Sequence, residues 1–202
     1  MTRCRSGIIM SAMVALSGCV SPEVRYHTLV DPDAVRMTGS PSNFMIEVLP
    51  VGVPAQLDSQ QIVVRQDSNR VVVLQNDRWL SPLGEEVQTA LSARMTQQLH
   101  TTDVAGLTRD NTRPVIRVLM QVRRFDSWPG KNVALEADWS LSRISEGKRI
   151  RMVCHTRLSQ TLSGDTAQMF TLWQGVMDMT ADQIAQAARR WIYSGDATCP
   201  QT

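Results

Sequence analysis

The chain has 202 residues, with 21 basic and 19 acidic side chains and a mean hydropathy of −0.17. That length suits one domain with a real core, and the near-balanced charge leaves no basic field to draw in nucleic acid. Its three histidines, His27, His100 and His155, are scattered without ligand-like spacing, so neither a metal site nor any other cofactor is expected.

The first element is a targeting signal. Arg3 and Arg5 precede an apolar run over 7–16, which Leu16-Ser17-Gly18-Cys19 closes. At about 1.5 Å per residue the run reaches only about half of the ~30 Å hydrocarbon core, which favours a removable signal over a permanent span. Small residues before a cysteine are the layout of a lipoprotein signal peptide. Cleavage before Cys19 frees its amine, and acylation of its thiol and amine makes a stable anchor, because two or more chains hold where one does not. Val20 follows, where an aspartate would favour inner-membrane retention, so the periplasmic face of the outer membrane is expected. Removing Arg3 and Arg5 with the signal leaves 19 basic residues against 19 acidic ones.

The organisation expected is a signal peptide over 1–18, a tether over 19–42 and a folded domain over 43–202. Pro22, Asp31-Pro32-Asp33 and Gly39-Ser40-Pro41-Ser42 break regular structure in the tether, although Arg25-Tyr26-His27-Thr28-Leu29 is apolar enough to dock. A strand is predicted over 44–53, ending at Pro54. Segments 62–65 and 71–74, separated by Asp67-Ser68-Asn69, read as a hairpin. Ser81 as N-cap and Pro82 at the first helical position open a helix that runs to about Thr101. Glu85 and Glu86 suit its first-turn dipole, and Leu83, Val87, Leu91, Met95 and Leu99 form its apolar stripe.

Three alternating strands follow. Ile116, Val118, Met120 and Val122 alternate with Arg117, Gln121 and Arg123. Val133, Leu135, Ala137, Trp139 and Leu141 alternate with Glu136, Asp138 and Ser140. Ile150, Met152, Cys154 and Leu158 alternate with Arg149, Arg151 and Arg157. This is the pattern of an antiparallel meander with one covered face, turned by Pro129-Gly130 and Glu146-Gly147. A last helix is predicted over 167–193, with a break near Thr180 and a core side of Trp173, Met177, Ile184, Ala188 and Trp191. The expected fold is a single two-layer α+β domain. Its order is β-β-β-α-β-β-β-α, with a mixed or antiparallel sheet and two amphipathic helices on one face.

Catalytic signals are missing. There is no G-x-S-x-G, H-E-x-x-H or phosphate loop. Adjacent Glu85 and Glu86 point about 100° apart on a helix and cannot flank one bond. His155, on the solvent side of a strand beside Arg151 and Arg157, lacks an orienting partner, so a tethered hydrolase is set aside. With Cys4 removed and Cys19 the anchor, Cys154 and Cys199 remain in an oxidising compartment. A bridge between them is favoured over a buried free Cys154 and a loose Cys199, and the chain-entropy relation makes it worth roughly 4 kcal/mol. The arginine-rich face (Arg117, Arg123, Arg149, Arg151, Arg157) reads first as cross-strand pairing with Glu136 and Asp138. A site for anionic headgroups or an acidic partner is its functional alternative.

Taken together, several segments resemble the PqiC-type ABC-transport auxiliary lipoproteins. They are the lipobox at Cys19, Arg25-Tyr26-His27-Thr28-Leu29 (similar to R-Y-Y-x-L), Ile46-Glu47-Val48 to Val53-Pro54, Leu57, Gln61-Ile62-Val63-Val64-Arg65 and Trp79-Leu80-Ser81-Pro82-Leu83. His27 departs from the second tyrosine, and Gln56 stands where an aromatic is usual. The resemblance implies a non-enzymatic docking component on the outer membrane. It would work with a periplasmic MCE-domain protein in lipid movement between membranes, as a ring or other homo-oligomer at the MCE tip. It also makes Tyr26 and Gln56 candidate partner contacts, beside Arg117, Arg123, Arg151 and Arg157. A lipoprotein that binds peptidoglycan or lipid directly is the alternative.

Overall fold

The computed structural model describes residues 22–31, 40–108, 113–164 and 166–200; the signal segment, Cys19 and Asp33 lie outside them. In chain order the elements are β1 (Arg25–His27), β2 (Met45–Val48), β3 (Gln61–Arg65), β4 (Val71–Trp79), α1 (Leu83–Leu99), β5 (Val115–Trp128), β6 (Asn132–Ser145), β7 (Lys148–Thr161) and α2 (Thr166–Ser194). The fold is α+β, as the patterning predicts, with one short strand added at the front. The strands form two sheets instead of one, ordered β1-β4-β3 and β2-β5-β6-β7.

The meander is the frame. β5, β6 and β7 pair antiparallel over nearly their whole lengths, with one bulge between Val122 and Arg124. Their inward side chains Val118, Met120, Leu135, Ala137, Trp139, Leu141 and Met152 are buried. Glu146 and Gly147 turn β6 into β7 with φ of 50° and 75°, the left-handed pair a two-residue hairpin needs to match strand twist.

β2 runs parallel to β5, with Met45 opposite Val115 and Val48 opposite Val118. The strand predicted over 44–53 is interrupted there. Pro50 has no N–H to give to a ladder, yet the chain stays beside β5. Leu49 N–H donates to Val118 O at 2.9 Å and Gly52 N–H to Met120 O at 3.1 Å. β3 and β4 form the predicted hairpin, and β4 extends to Trp79 to join β1 in parallel.

The α1 stripe packs as its spacing predicts: Leu83, Val87, Leu91, Met95 and Leu99 are all buried. Its start differs. Pro82 takes the cap position with no side-chain cap, and Ser81 N–H instead donates to the Glu86 carboxylate at 3.0 Å. It ends at left-handed His100 (φ 48°), one residue before the predicted end. α2 is unbroken over 29 residues. The expected break at Thr180 is absent because this buried hydroxyl donates to Val176 O at 2.8 Å, which satisfies it within the helix.

Two tryptophans show how the layers meet. Trp139 N–H donates to Thr156 Oγ1 and Trp173 N–H to Ser127 Oγ, each at 2.8 Å. Trp173 also stacks on Phe125 at 3.5 Å between ring centroids. Each large apolar body is buried while its single polar atom is satisfied.

Candidate partner surfaces

The segment over 25–30 is bound to the domain. β1 lies in register on β4, with Arg25 opposite Asp77 and His27 opposite Trp79. Asp77 is buried and receives Arg25 through Nε at 3.0 Å and Nη2 at 2.9 Å. His27 Nε2 lies 2.7 Å from the same carboxylate, and its ring stacks on Phe170 at 3.5 Å. Burial opposes ionisation of Asp77, but the hydrogen bonds from Arg25 and His27 outweigh it and hold its pKa below the usual carboxylate value. Downstream, Leu29 is 1% exposed. Its N–H and the Thr28 hydroxyl both donate to Glu86 Oε2, at 2.9 and 2.8 Å.

Glu86 therefore has a role that its position did not announce. It is 4% exposed, and one carboxylate ties together the N-terminal segment, the β4–α1 connection and α1 itself. Its place in the first turn of α1 accounts only for a favourable interaction with the helix dipole. The signal that could have found it is the coincidence of a docking R-Y-H-T-L segment with an acidic helix start. Asp103 was missed in the same way. It accepts from Val48 N–H and Ala105 N–H and from the Ser92 hydroxyl, joining β2 to α1.

The outer face of the large sheet carries the predicted arginines, and most are paired. Arg117 Nε lies 2.7 Å from Glu47, its parallel neighbour on β2. Arg123 meets Asp138 at 2.7 Å, and Arg157 meets Glu136 at 3.2 Å across β6–β7. His155 Nδ1 lies 2.9 Å from Asp138, so it does have an orienting carboxylate. That contact, then Arg123, lowers the Asp138 pKa. Arg151 stands opposite Ser142, with no carboxylate partner among the described residues. Between the charged rows lies a strip of Leu119, Ser140 and Val153, in register across three strands. Leu119 is 46% and Val153 59% exposed. The small Ser140 between them leaves a shallow depression, bounded by Arg151 and Asp138.

Cys154 and Cys199 are joined by a disulfide, across 45 residues of sequence. It pins the segment after α2 to β7, the edge strand of the large sheet. An edge strand presents unpaired backbone groups, so a covalent strap beside it restricts what can pair there.

Tyr26 is 62% exposed on β1. Gln56 is exposed in the turn before β3, at the rim of a cavity of about 320 Å³ between the β3–β4 hairpin and β5, with Phe125 among its lining residues. These two candidates thus belong to the small sheet and its border, and the arginines to the large one. The structure does not gather them into one site. Among the described residues no group of three or more His, Cys, Asp or Glu side chains could hold a metal ion, and no helix is long and apolar enough to cross a membrane.

Comparison with known proteins agrees in scale with this single domain. The profile of the ABC-type transport auxiliary lipoprotein component matches residues 27–185, from the end of β1 into the last turns of α2. Intermembrane transport lipoprotein PqiC of Escherichia coli K12 is 26% identical over 186 residues, 91% of this chain and 97% of its own length; PqiC of Shigella flexneri matches to the same extent. A crystal structure of an uncharacterised protein superposes with a TM-score of 0.59 at 21% identity, covering 82% of this chain and 98% of that one. One from Xanthomonas campestris gives 0.57 at 16%, covering 85% and 96%. The two structures support the fold alone.

Proposed function

The chain belongs to the ABC-type transport auxiliary lipoprotein family, and on that premise we propose that it is the lipid-anchored docking component of an MCE-type intermembrane lipid transport system. It works from the periplasmic face of the outer membrane to maintain envelope integrity. The observation that carries this reading is the extent of the match, which takes in both sheets and both helices. The shared unit is the folded body from His27 into α2.

The geometry supports a docking role over a catalytic one. His155 and Asp138 make the only histidine–carboxylate pair on the large sheet's outer face among the described residues. The carboxylate is shared with Arg123 on an open strand surface, and no hydroxyl or thiol nucleophile is hydrogen-bonded to the imidazole there. The Leu119–Ser140–Val153 strip, flanked by Arg151, offers an apolar centre with a charged rim, the composition of a protein contact. Valine after Cys19 supports the outer membrane. The family resemblance supports a homo-oligomeric ring at the MCE tip, with Tyr26, Gln56 and Arg151 as contacts.

Affinity capture tests this reading. The tagged full chain, cross-linked in cells, is expected to retain an MCE-domain protein. Cys19→Ala is expected to lose that retention in cells yet to bind the purified MCE-domain protein in solution. Absence of binding at high micromolar concentration by both forms would remove the reading. A tightly held lipid or peptidoglycan fragment in its place, seen by native mass spectrometry, would favour a direct envelope binder.

A further inference from the structure

The outer face of the large sheet divides into two halves of different charge. In one, Arg123, Arg124 and Arg157 are met by Asp126, Glu136 and Asp138. In the other, toward the β6–β7 turn, Arg117 is held by Glu47. Lys148, Arg149 and Arg151 there are exposed and meet no carboxylate among the described residues. From Trp139 to Val153 the single acid is Glu146, in the turn itself. A face that is merely solvated has the same use for paired charges at both ends. These strands pair their arginines in one half and leave them open in the other.

The strand register sets the open cations in an apolar field. Residues directly opposite on neighbouring strands share a face, as do alternate residues of one strand. Ile144 stands opposite Arg149, Ser142 opposite Arg151, and Ser140 opposite both Leu119 and Val153. Ile144, Leu119 and Val153 are 59%, 46% and 59% exposed. The middle strand contributes only serines between them, so the face is hollow along β6. The flanking strands stand about 10 Å apart across it. The depression over Ser140, walled by Leu119, Val153 and Arg151, is its deepest described part.

That hollow decides between two anionic partners. A bilayer is flat at this scale and touches side chains that protrude, so it would leave the depression unfilled and its apolar walls in water. A polypeptide can seat one apolar side chain there while neighbouring carboxylates reach the two arginines, whose planar guanidinium groups bind carboxylates in two-point fashion.

We propose that the hairpin end of this face, formed by Ile144, Arg149 and Arg151 with the Leu119–Ser140–Val153 strip, docks an acidic amphipathic segment of another protein. One apolar side chain of that segment sits over Ser140, and its carboxylates pair with Arg149 and Arg151. This rests on the docking reading of the chain and adds the chemistry of the partner to it. The cations set the rate of encounter and its salt dependence, and the apolar seat retains what they collect.

The experiment uses the full chain in cells, with a photoreactive benzoylphenylalanine in place of Ile144, and identifies the cross-linked peptide by mass spectrometry. The expected adduct is to a different protein, through a peptide in which Asp or Glu residues neighbour an apolar one. Arg149→Gln together with Arg151→Gln is expected to lower the yield at least about tenfold, while Arg157→Gln, in the paired half, leaves it unchanged. Exposed substitutions of this kind keep the fold, and equal unfolding midpoints establish that. With the captured protein purified, raising salt from about 0.05 M to about 0.5 M is expected to weaken binding of the native chain about tenfold and to change the double variant little. An adduct to phospholipid, to a second copy of this chain or to a peptide without carboxylates overturns the proposal. So does the absence of any adduct, or a double variant that cross-links as well as the native chain. The MCE reading fails separately. An acidic peptide from a protein without an MCE domain removes that partner and supports this face, whereas an MCE-domain protein joined through a neutral peptide keeps the partner and removes the acidic segment.

Discussion

Glu86 and Asp77 are the two residues on which the N-terminal segment depends. Each is an acid that binds chain from far away in sequence. Glu86 accepts three hydrogen bonds, from Thr28, Leu29 and Ser81. Truncating it strands a buried amide, and hydrogen bonds to charged groups are worth more than neutral ones. Glu86→Ala is therefore expected to cost about 3 kcal/mol, read as a lower urea midpoint; a change within error would show that water replaces the carboxylate at no cost. Asp77 makes the attachment sensitive to acid. Its pKa lies below the unfolded value of 3.8, so the folded state prefers the ionised form. The stabilisation is complete above that value and is lost as the pH falls through the lower folded one. Amide protection over 25–30 should decline in that acid window in the native chain. In Asp77→Asn it should be weak throughout and flat with pH. Matching profiles for the two proteins would refute the link.

At the scale of elements, the edge of the large sheet depends on a covalent contact. The disulfide closes 45 residues of chain that include α2. Chain-entropy reasoning puts its worth at roughly 4 kcal/mol. Cys154→Ala with Cys199→Ala is expected to unfold at a clearly lower temperature, and reductant should lower only the native protein. Equal melting of native and doubly substituted chains would show that α2 and β7 hold the edge without it. The helices owe their positions to different features. α1 rests on a stripe readable by eye, whereas α2 is also tied to strands by hydrogen bonds: Trp173 N–H donates to the Ser127 hydroxyl of β5, and Gln183 accepts from the Thr156 hydroxyl of β7.

Over the whole molecule, the core among the described residues draws on both helices and both sheets. On the proposed reading of Cys19 as an anchor alone, Cys19→Ala should leave the unfolding midpoint unchanged while it releases the protein from membranes. A lowered midpoint would show that the anchor segment stabilises the fold. β1 and the β3–β4 hairpin belong to the small sheet, and the Leu119–Val153 strip belongs to the large one.

Local pattern was enough for the elements. Period-two alternation marks β5, β6 and β7, a four-residue repeat marks α1, and Glu146-Gly147 and Asp67-Ser68-Asn69 mark turns, because each signal resides within a few consecutive residues. Arg123 and Arg157 of the outer face were legible as cross-strand pairs with Asp138 and Glu136 for the same reason, since neighbours in a meander have a register that pattern implies; the pairing of Arg117 with Glu47 on β2 was not. What the chain order could not convey is which distant segments meet. The parallel pairings of β1 with β4 and β2 with β5 leave no local mark, and they split the expected single sheet into two. The burial of Glu86 and Asp77 likewise depends on donors about 50 residues away, the Leu29 amide and the Arg25 guanidinium. Propensity and periodicity are properties of a window of sequence. Parallel strand pairing and buried carboxylate ties arise only when the windows pack, so only the tertiary structure decided them.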